Sequence, residues 1–111
     1  MDPPELSSIL KKITSDFKIV WIDFNAHSDF LPYLQRKIGG LVRFDENTIY
    51  IHSKLSPTEK ELTFLHEILS IYYYEKEILR HDEEIERETI ELYQRPEIKS
   101  LVANFIGKIK G

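Results

Sequence analysis

A long helix with a strong N-terminal cap and apolar side chains on nearly every side limits how this chain can fold. Ser56-Pro57-Thr58-Glu59 combines a capping side chain, a proline suited to the first helical position and an acid at the third. The next residues are apolar around most of the helix circumference, and they include Leu62, Phe64, Leu65, Ile68, Leu69, Ile71, Tyr72 and Tyr73. We therefore predict a central helix that the rest of the chain buries.

One narrow polar stripe runs along this predicted helix. Its members recur at helical spacing, and they are Thr63, His66, Glu67, Ser70, Tyr74 and Glu77. A solvent-facing helix surface usually carries lysine and arginine, whereas this stripe has neither, and Lys76 lies off it. We therefore predict that the stripe lines a cleft.

The segments before the central helix read as two helices, the second of them short, and three strands. Asp2 followed by two prolines predicts a first helix, and the β-rich run Lys18 to Phe24 predicts a strand that is covered on both faces. The segment Ala26 to Ile38 fits a short helix that starts at Ser28 or Asp29. Two further runs, Leu41 to Phe44 and Thr48 to His52, flank a polar turn and predict a β-hairpin.

Two more helices are predicted after the central one. A break near Leu79 to Asp82 precedes a helix over Glu83 to Gln94, and Pro96 opens a last helix. The order of elements predicts an α+β fold, in which a small antiparallel or mixed sheet with a hairpin is packed by a central helix and flanking helices. We expect one domain over residues 1–111.

The composition narrows the possible partners and cofactors. The net charge is −4, from 15 basic and 19 acidic residues without a basic block, so direct binding to nucleic acid is not expected. The absence of cysteine excludes thiolate metal sites and leaves His, Asp and Glu as ligands. No signal-peptide pattern and no membrane-length apolar run is present, so we expect a soluble, cytoplasmic protein. The 15 Ile and 13 Glu against 2 Gln and 3 Asn resemble a thermophile-like composition.

The polar stripe contains most of a zinc-binding motif. His66-Glu67-Ile68-Leu69-Ser70 follows the pattern HExxH, in which two histidines one helical turn apart bind zinc and the glutamate polarises a water on the metal. Ser70 stands where the second histidine would be, and a neutral serine hydroxyl is not a usual zinc ligand. The alternative is that His66 and Glu67 are an ordinary polar pair on a partly exposed helix.

The wider sequence resembles the ImmA/IrrE-type zincin-like metallopeptidases. The residues that carry the resemblance run from the strand at Thr48, through Leu55-Ser56, into Phe64-Leu65-His66-Glu67. In that family a strand of the form Ile-x-Ile-Asn leads through Leu-Ser into Phe-Thr-Leu-Ala-His-Glu-Leu-Gly-His. The acidic segment after Asp82, with Pro96 beyond it, is similar to the family segment that begins with the third metal ligand.

The resemblance implies a zincin-like fold, a zinc site and a protein substrate. It places Glu84 as the third zinc ligand beside His66, and Glu67 as the general base in catalysis. Three residues before Glu84, His81 is a candidate to replace the missing histidine, and its alternative is an exposed residue before a helix. His27 and His52 are weaker candidates, since His52 fits the outer face of its strand.

Two functions follow from the resemblance. The first is zinc-dependent peptide hydrolysis of a regulatory protein, because family members often act on helix-turn-helix transcriptional repressors. The second is a catalytically inactive relative, a pseudoenzyme, that keeps the fold and binds a protein or peptide partner. Ser70 separates the two, because it removes one of the three ligands that zinc needs.

Overall fold

A computed structural model describes residues 1–110, so Gly111, the last residue of the predicted domain, lies outside the described residues. The first helix, α1, spans Pro3–Asp16. The Asp2 carboxylate accepts a hydrogen bond of 2.8 Å from the Glu5 N–H, so the predicted N-cap is confirmed. One face of α1 is buried in the core.

The three strands described in residues 1–110 form one mixed sheet in the order β1-β3-β2. They are β1 (Lys18–Ile22), β2 (Gly40–Arg43) and β3 (Thr48–His52). β2 and β3 are antiparallel and form the predicted hairpin, while β1 pairs in parallel with β3. The middle strand is therefore β3, and both β1 and β2 are edge strands.

Two details before the hairpin differ from the prediction. β1 is an edge strand whose residues are half-buried after Lys18, so it is not covered on both faces. It also ends earlier, because Asp23 accepts a hydrogen bond of 3.0 Å from the Asn25 N–H and starts a 3₁₀ turn over Phe24–Ala26. The short helix α2 covers Leu31–Gln35 and begins later than predicted.

The central helix, α3, spans Pro57–Glu75 and packs against α1, β2, β3 and the last two helices. Its N-terminus is capped by the Ser56 hydroxyl, which accepts a hydrogen bond of 3.2 Å from the Glu59 N–H. Side chains from several sides of α3 are fully buried, namely Phe64, Leu65, Ile68, Leu69 and Ile71. The predicted central position of this helix is confirmed.

The last two helices are α4 (Asp82–Tyr93) and α5 (Pro96–Lys110). α3 ends before the predicted break, and Glu77 then adopts a left-handed backbone conformation with φ of 57°. The chain is thus of the mixed α+β class, with helices around a small sheet. No helix among residues 1–110 has the length and apolar character needed to cross a membrane.

Candidate functional site

The polar stripe of α3 lines a cleft of about 680 Å³. One wall is β2 with the loop before it, from Lys37 to Val42, and the other is formed by α3, the α3–α4 connection and α4. From the stripe, the cleft receives Thr63, His66, Glu67, Ser70 and Tyr74. The prediction that this stripe lines a cleft is therefore confirmed for these five residues, whereas Glu77 lies beyond the end of α3 and does not line the cleft.

Gly40 allows β2 to lie directly against the stripe. A Cβ atom added at Gly40 would be 2.5 Å from Thr63 Cγ2 and 3.5 Å from Glu67 Cγ. The first distance is well below van der Waals contact, so any larger residue would push the strand away from α3. This close approach holds one wall of the cleft beside Glu67.

Glu67 is half-buried in the cleft. Burial, assisted by the negative charge of Asp82, raises the pKa of Glu67 from 4.5 to about 7. Within residues 1–110 the carboxyl group makes no hydrogen bond or ion pair. It can therefore both accept and donate a proton near neutral pH, which is what a general acid or base requires.

His66 lies against α4, but its acidic neighbour is not the predicted one. The Nδ1 atom of His66 is 3.3 Å from Glu86 Oε2, a charge contact without hydrogen-bond geometry. Two atoms bound to one tetrahedral zinc at about 2.0–2.1 Å would be about this far apart. His66 and Glu86 are thus spaced as two metal ligands would be.

Ser70 does not take part in this contact. Its hydroxyl donates a hydrogen bond of 3.0 Å to the His66 backbone carbonyl, one turn earlier in α3. This bond satisfies the hydroxyl proton within the helix. Ser70 therefore contributes a small, internally bonded side chain to the cleft at the position of the absent histidine.

His81 and Glu84 lie together at the start of α4 and outside the lining of the cleft. His81 is the N-cap residue, and its backbone N–H donates a hydrogen bond of 3.3 Å to Glu84 Oε1. Glu84 Oε2 is also 3.5 Å from Arg80 Nε. The spacing of three residues between His81 and Glu84, which suggested a shared metal, instead lets Glu84 cap the N-terminus of α4.

The two weaker histidine candidates are also away from His66. His52 lies on the face of β3 opposite Ile49 and Ile51, as predicted, but Phe24 covers that face and His52 is buried. Its Nδ1 accepts a hydrogen bond of 3.1 Å from the Phe24 N–H, which ties β3 to the 3₁₀ turn. His27 is exposed, and its ring packs against the edge of Phe30. Both histidines have local structural contacts.

The residues near His66 fall short of a zinc site. Residues 1–110 contain no group of three or more His, Asp or Glu side chains placed to hold a metal ion. Zinc in a catalytic site takes three protein ligands and a water. His66 and Glu86 could supply two of them, so zinc binding stays a prediction that this geometry does not favour.

Glu86 is the site residue that the sequence prediction missed. It lies directly after the buried Ile85 and one turn before the buried Thr89, at the border of the face that α4 turns toward α3. This periodic pattern was a usable signal, whereas the alignment of the acidic segment alone could not distinguish Glu84 from Glu86. A choice between them needed the position of α4 against α3.

No family model, curated protein or solved structure matches this chain. The zincin-like fold and the resemblance to ImmA/IrrE-type peptidases therefore rest on the sequence pattern between Gly40 and Pro96. Function has to be argued from the cleft itself.

Proposed function

We propose that this chain is a zincin-like protein of the ImmA/IrrE type that binds a segment of a protein partner in its cleft without hydrolysing it. The observation that carries the proposal is the cleft wall formed by an edge strand. Gly39 to Val42 all line the cleft, and consecutive residues point to opposite faces, so the cleft borders the edge of β2. Among residues 1–110, β2 pairs only with β3, and no strand pairs with its other edge.

An edge strand beside a cleft suits an extended peptide. Such a segment can add to the sheet through backbone hydrogen bonds while its side chains enter the cleft. The resemblance suggests a regulatory protein as the partner, for example a transcriptional repressor. Binding without hydrolysis is supported by Ser70 and by the incomplete set of ligands around His66.

Peptide selection tests this proposal. Phage that display random dodecapeptides are panned against the immobilised wild-type chain, and the retained peptides are synthesised and titrated into ¹⁵N-labelled protein. We expect saturable shifts of the amide resonances of Gly39 to Val42 and of the residues of α3 from Thr63 to Ser70. Retained peptides that shift only residues outside the cleft, or no retained peptides, would contradict the proposal.

A zinc-dependent peptidase is the second candidate. The observations in its favour are the raised pKa of Glu67 and the 3.3 Å contact between His66 and Glu86. Elemental analysis of protein purified without chelators, followed by mass spectrometry of the selected peptides with and without added zinc, separates the two candidates. Stoichiometric zinc with cleaved peptides would replace the binding proposal, whereas intact peptides and no bound metal would exclude hydrolysis.

A further inference from the structure

Exposed apolar side chains are concentrated around the cleft. Among residues 1–110, five of the six large apolar side chains that are exposed line it, and these five are named the rim: Ile38, Phe44, Tyr74, Ile78 and Leu79. Leu79 is 87% exposed and Tyr74 is 66% exposed. A cluster of this kind beside a cleft marks an interaction surface, since single exposed apolar residues are normally scattered.

The backbone holds two rim residues in place on opposite walls. Lys37 and Glu77 each follow a helix with positive φ, at 61° and 57°. The next residue then donates a hydrogen bond back to the helix, from Ile38 N–H to the Tyr33 carbonyl at 2.8 Å and from Ile78 N–H to the Tyr73 carbonyl at 3.0 Å. This is the Schellman cap, whose apolar residue usually packs on its own helix. Here both apolar residues remain exposed at the cleft.

The two walls also meet through the rim. The ring of Phe44, after β2, lies 4.3 Å from the ring of Tyr74, near the end of α3, measured between centroids. Phe44 and Tyr74 therefore join the two walls of the cleft at the rim. An occupant that covered it would have to be apolar on the matching side.

The lining of the cleft is acidic, with the exposed side chains of Asp82 and Glu86 beside the half-buried Glu67. Three carboxylates line the cleft and are named the floor: Glu67, Asp82 and Glu86. No described lysine, arginine or histidine side chain forms an ion pair with Glu67, and burial raises the pKa of its carboxyl group to about 7. His66 contacts the floor at Glu86, with Nδ1 3.3 Å from Oε2.

The lysine and arginine that line the cleft do not neutralise the floor. Arg80 places its guanidinium 3.5 Å from Glu84 Oε2 and 3.6 Å from Glu88 Oε1, over the ring of Tyr73. Lys37 is exposed, on the loop before β2. Among the side chains that the structure describes, no lysine or arginine forms an ion pair with the floor.

We propose that the cleft selects a partner segment with one lysine or arginine between apolar side chains. The cation enters the floor and the flanking apolar residues cover the rim. This inference rests on the proposed function, because it specifies the segment that the cleft binds. Charge complementarity identifies the occupant, since a floor of three carboxylates favours a cation and disfavours an acidic or purely apolar segment.

Selection against matched variants tests the inference. The random peptides are panned on the wild-type chain, on a neutral-floor variant with Glu67→Gln, Asp82→Asn and Glu86→Gln, and on a rim variant with Ile78→Ser and Leu79→Ser. Ile90→Ser is the control for the rim variant, because Ile90 is exposed on α4 but does not line the cleft. Glu91→Gln, also exposed on α4, is the control for the floor.

We expect wild-type peptides to share one basic position flanked by apolar ones. The neutral-floor variant should bind these peptides at least about tenfold more weakly than the wild-type chain does, which is the usual effect of losing a charged hydrogen-bond partner. Peptides with norleucine at the basic position should bind the two proteins with affinities that differ by less than about twofold. The rim variant should bind both kinds of peptide more weakly than the wild-type chain does. The two control variants should bind both kinds as tightly as the wild-type chain.

Each other outcome has a distinct meaning. Retained peptides that map to the cleft but lack a basic position overturn this inference and leave the proposed function intact. An absence of peptides that map to the cleft overturns both. If light scattering shows a dimer for the wild-type chain and a monomer for the rim variant, a second copy of the chain covers the rim. This result also overturns the inference.

Discussion

Glu67 links the chemistry of the cleft to the stability of the fold. Its carboxyl group ionises near pH 4.5 in the unfolded chain and near 7 in the folded one. Between these values the folded chain holds a proton that the unfolded chain has lost, so the free energy of unfolding falls as the pH rises from about 4.5 to about 7. Above about pH 7 the proton on Glu67 no longer contributes to the free energy of unfolding.

Replacing Glu67 with glutamine should remove this fall. At pH 8 the free energy of unfolding of Glu67→Gln should exceed that of the wild-type chain by up to about 3 kcal/mol, because no carboxylate is left to be buried. Urea denaturation at a series of pH values measures the difference. Glu91→Gln, on the exposed side of α4, is the control and should retain the wild-type profile. Parallel profiles for the wild-type chain and Glu67→Gln would show that Glu67 is hydrated in solution.

Ser70 should be the residue that limits metal binding. Ser70→His adds a histidine one turn from His66, and we expect zinc affinity to rise at least about a hundredfold over the wild-type chain. Competition with a chromophoric zinc chelator measures this gain. In the Ser70→His background, Glu86→Gln should lower the affinity at least about tenfold, because Glu86 contacts His66.

Glu84→Gln is the matched control for that experiment. Glu84 accepts its hydrogen bond from the His81 N–H and lies outside the cleft lining, so zinc affinity should be unchanged. A loss caused by Glu84→Gln instead of Glu86→Gln would restore the ligand set expected from the family resemblance. It would also mean that α4 is rotated relative to the described structure.

At the scale of elements, β2 depends on a glycine where it meets α3. Gly40→Ala places a methyl group 2.5 Å from Thr63 Cγ2 and should lower the free energy of unfolding by about 1–3 kcal/mol. Thr63→Ser removes that methyl group of threonine and should recover part of the loss in the double variant. Chemical denaturation of the single and double variants measures the coupling.

Gly107→Ala provides the opposite case. Gly107 lies in α5, and an added Cβ has no neighbour within 4 Å. Alanine is the better helix former, so this variant should gain about 0.5–1 kcal/mol in the same denaturation experiment. A loss at Gly107 as large as that at Gly40 would mean that the loss at Gly40 is not specific to the contact between β2 and α3.

The elements that could be predicted are those with local signals. Asp2 and Ser56 mark the starts of α1 and α3, because a cap depends on a few neighbouring residues. The parallel pairing of β1 with β3 could not be predicted, since no local signal specifies which distant strand is the neighbour. The burial of His52 could not be predicted for a related reason, because Phe24, which packs against it, lies 28 residues earlier.

The candidate site was predictable only where one helix carries it. His66, Glu67 and Ser70 share α3, so helical spacing alone places them on one face. Glu86 and Asp82 reach the cleft from α4, and their positions depend on how two helices pack. The rim could not be predicted either, because the exposure of an apolar side chain depends on how the rest of the chain packs around it.

At the scale of the whole molecule, burial around α3 should dominate stability. Leu65 is fully buried, whereas Leu79 is 87% exposed. Leu65→Ala should therefore lower the free energy of unfolding by about 3 kcal/mol, and the identical change at Leu79 by less than about 0.5 kcal/mol. Thermal or urea unfolding of both variants tests this. Similar losses at the two positions would mean that the rim is covered in solution.

The two walls of the cleft differ in how firmly the fold holds them. α3 is packed by helices and by the sheet, while β2 is joined to the rest of the sheet only through β3. Local opening is easiest for elements with few neighbours. We therefore expect the amide protons of β2 to exchange with solvent faster than those in the middle of α3. The cleft would then widen by fraying of its strand wall, and a partner that pairs with β2 would slow that exchange as it bound.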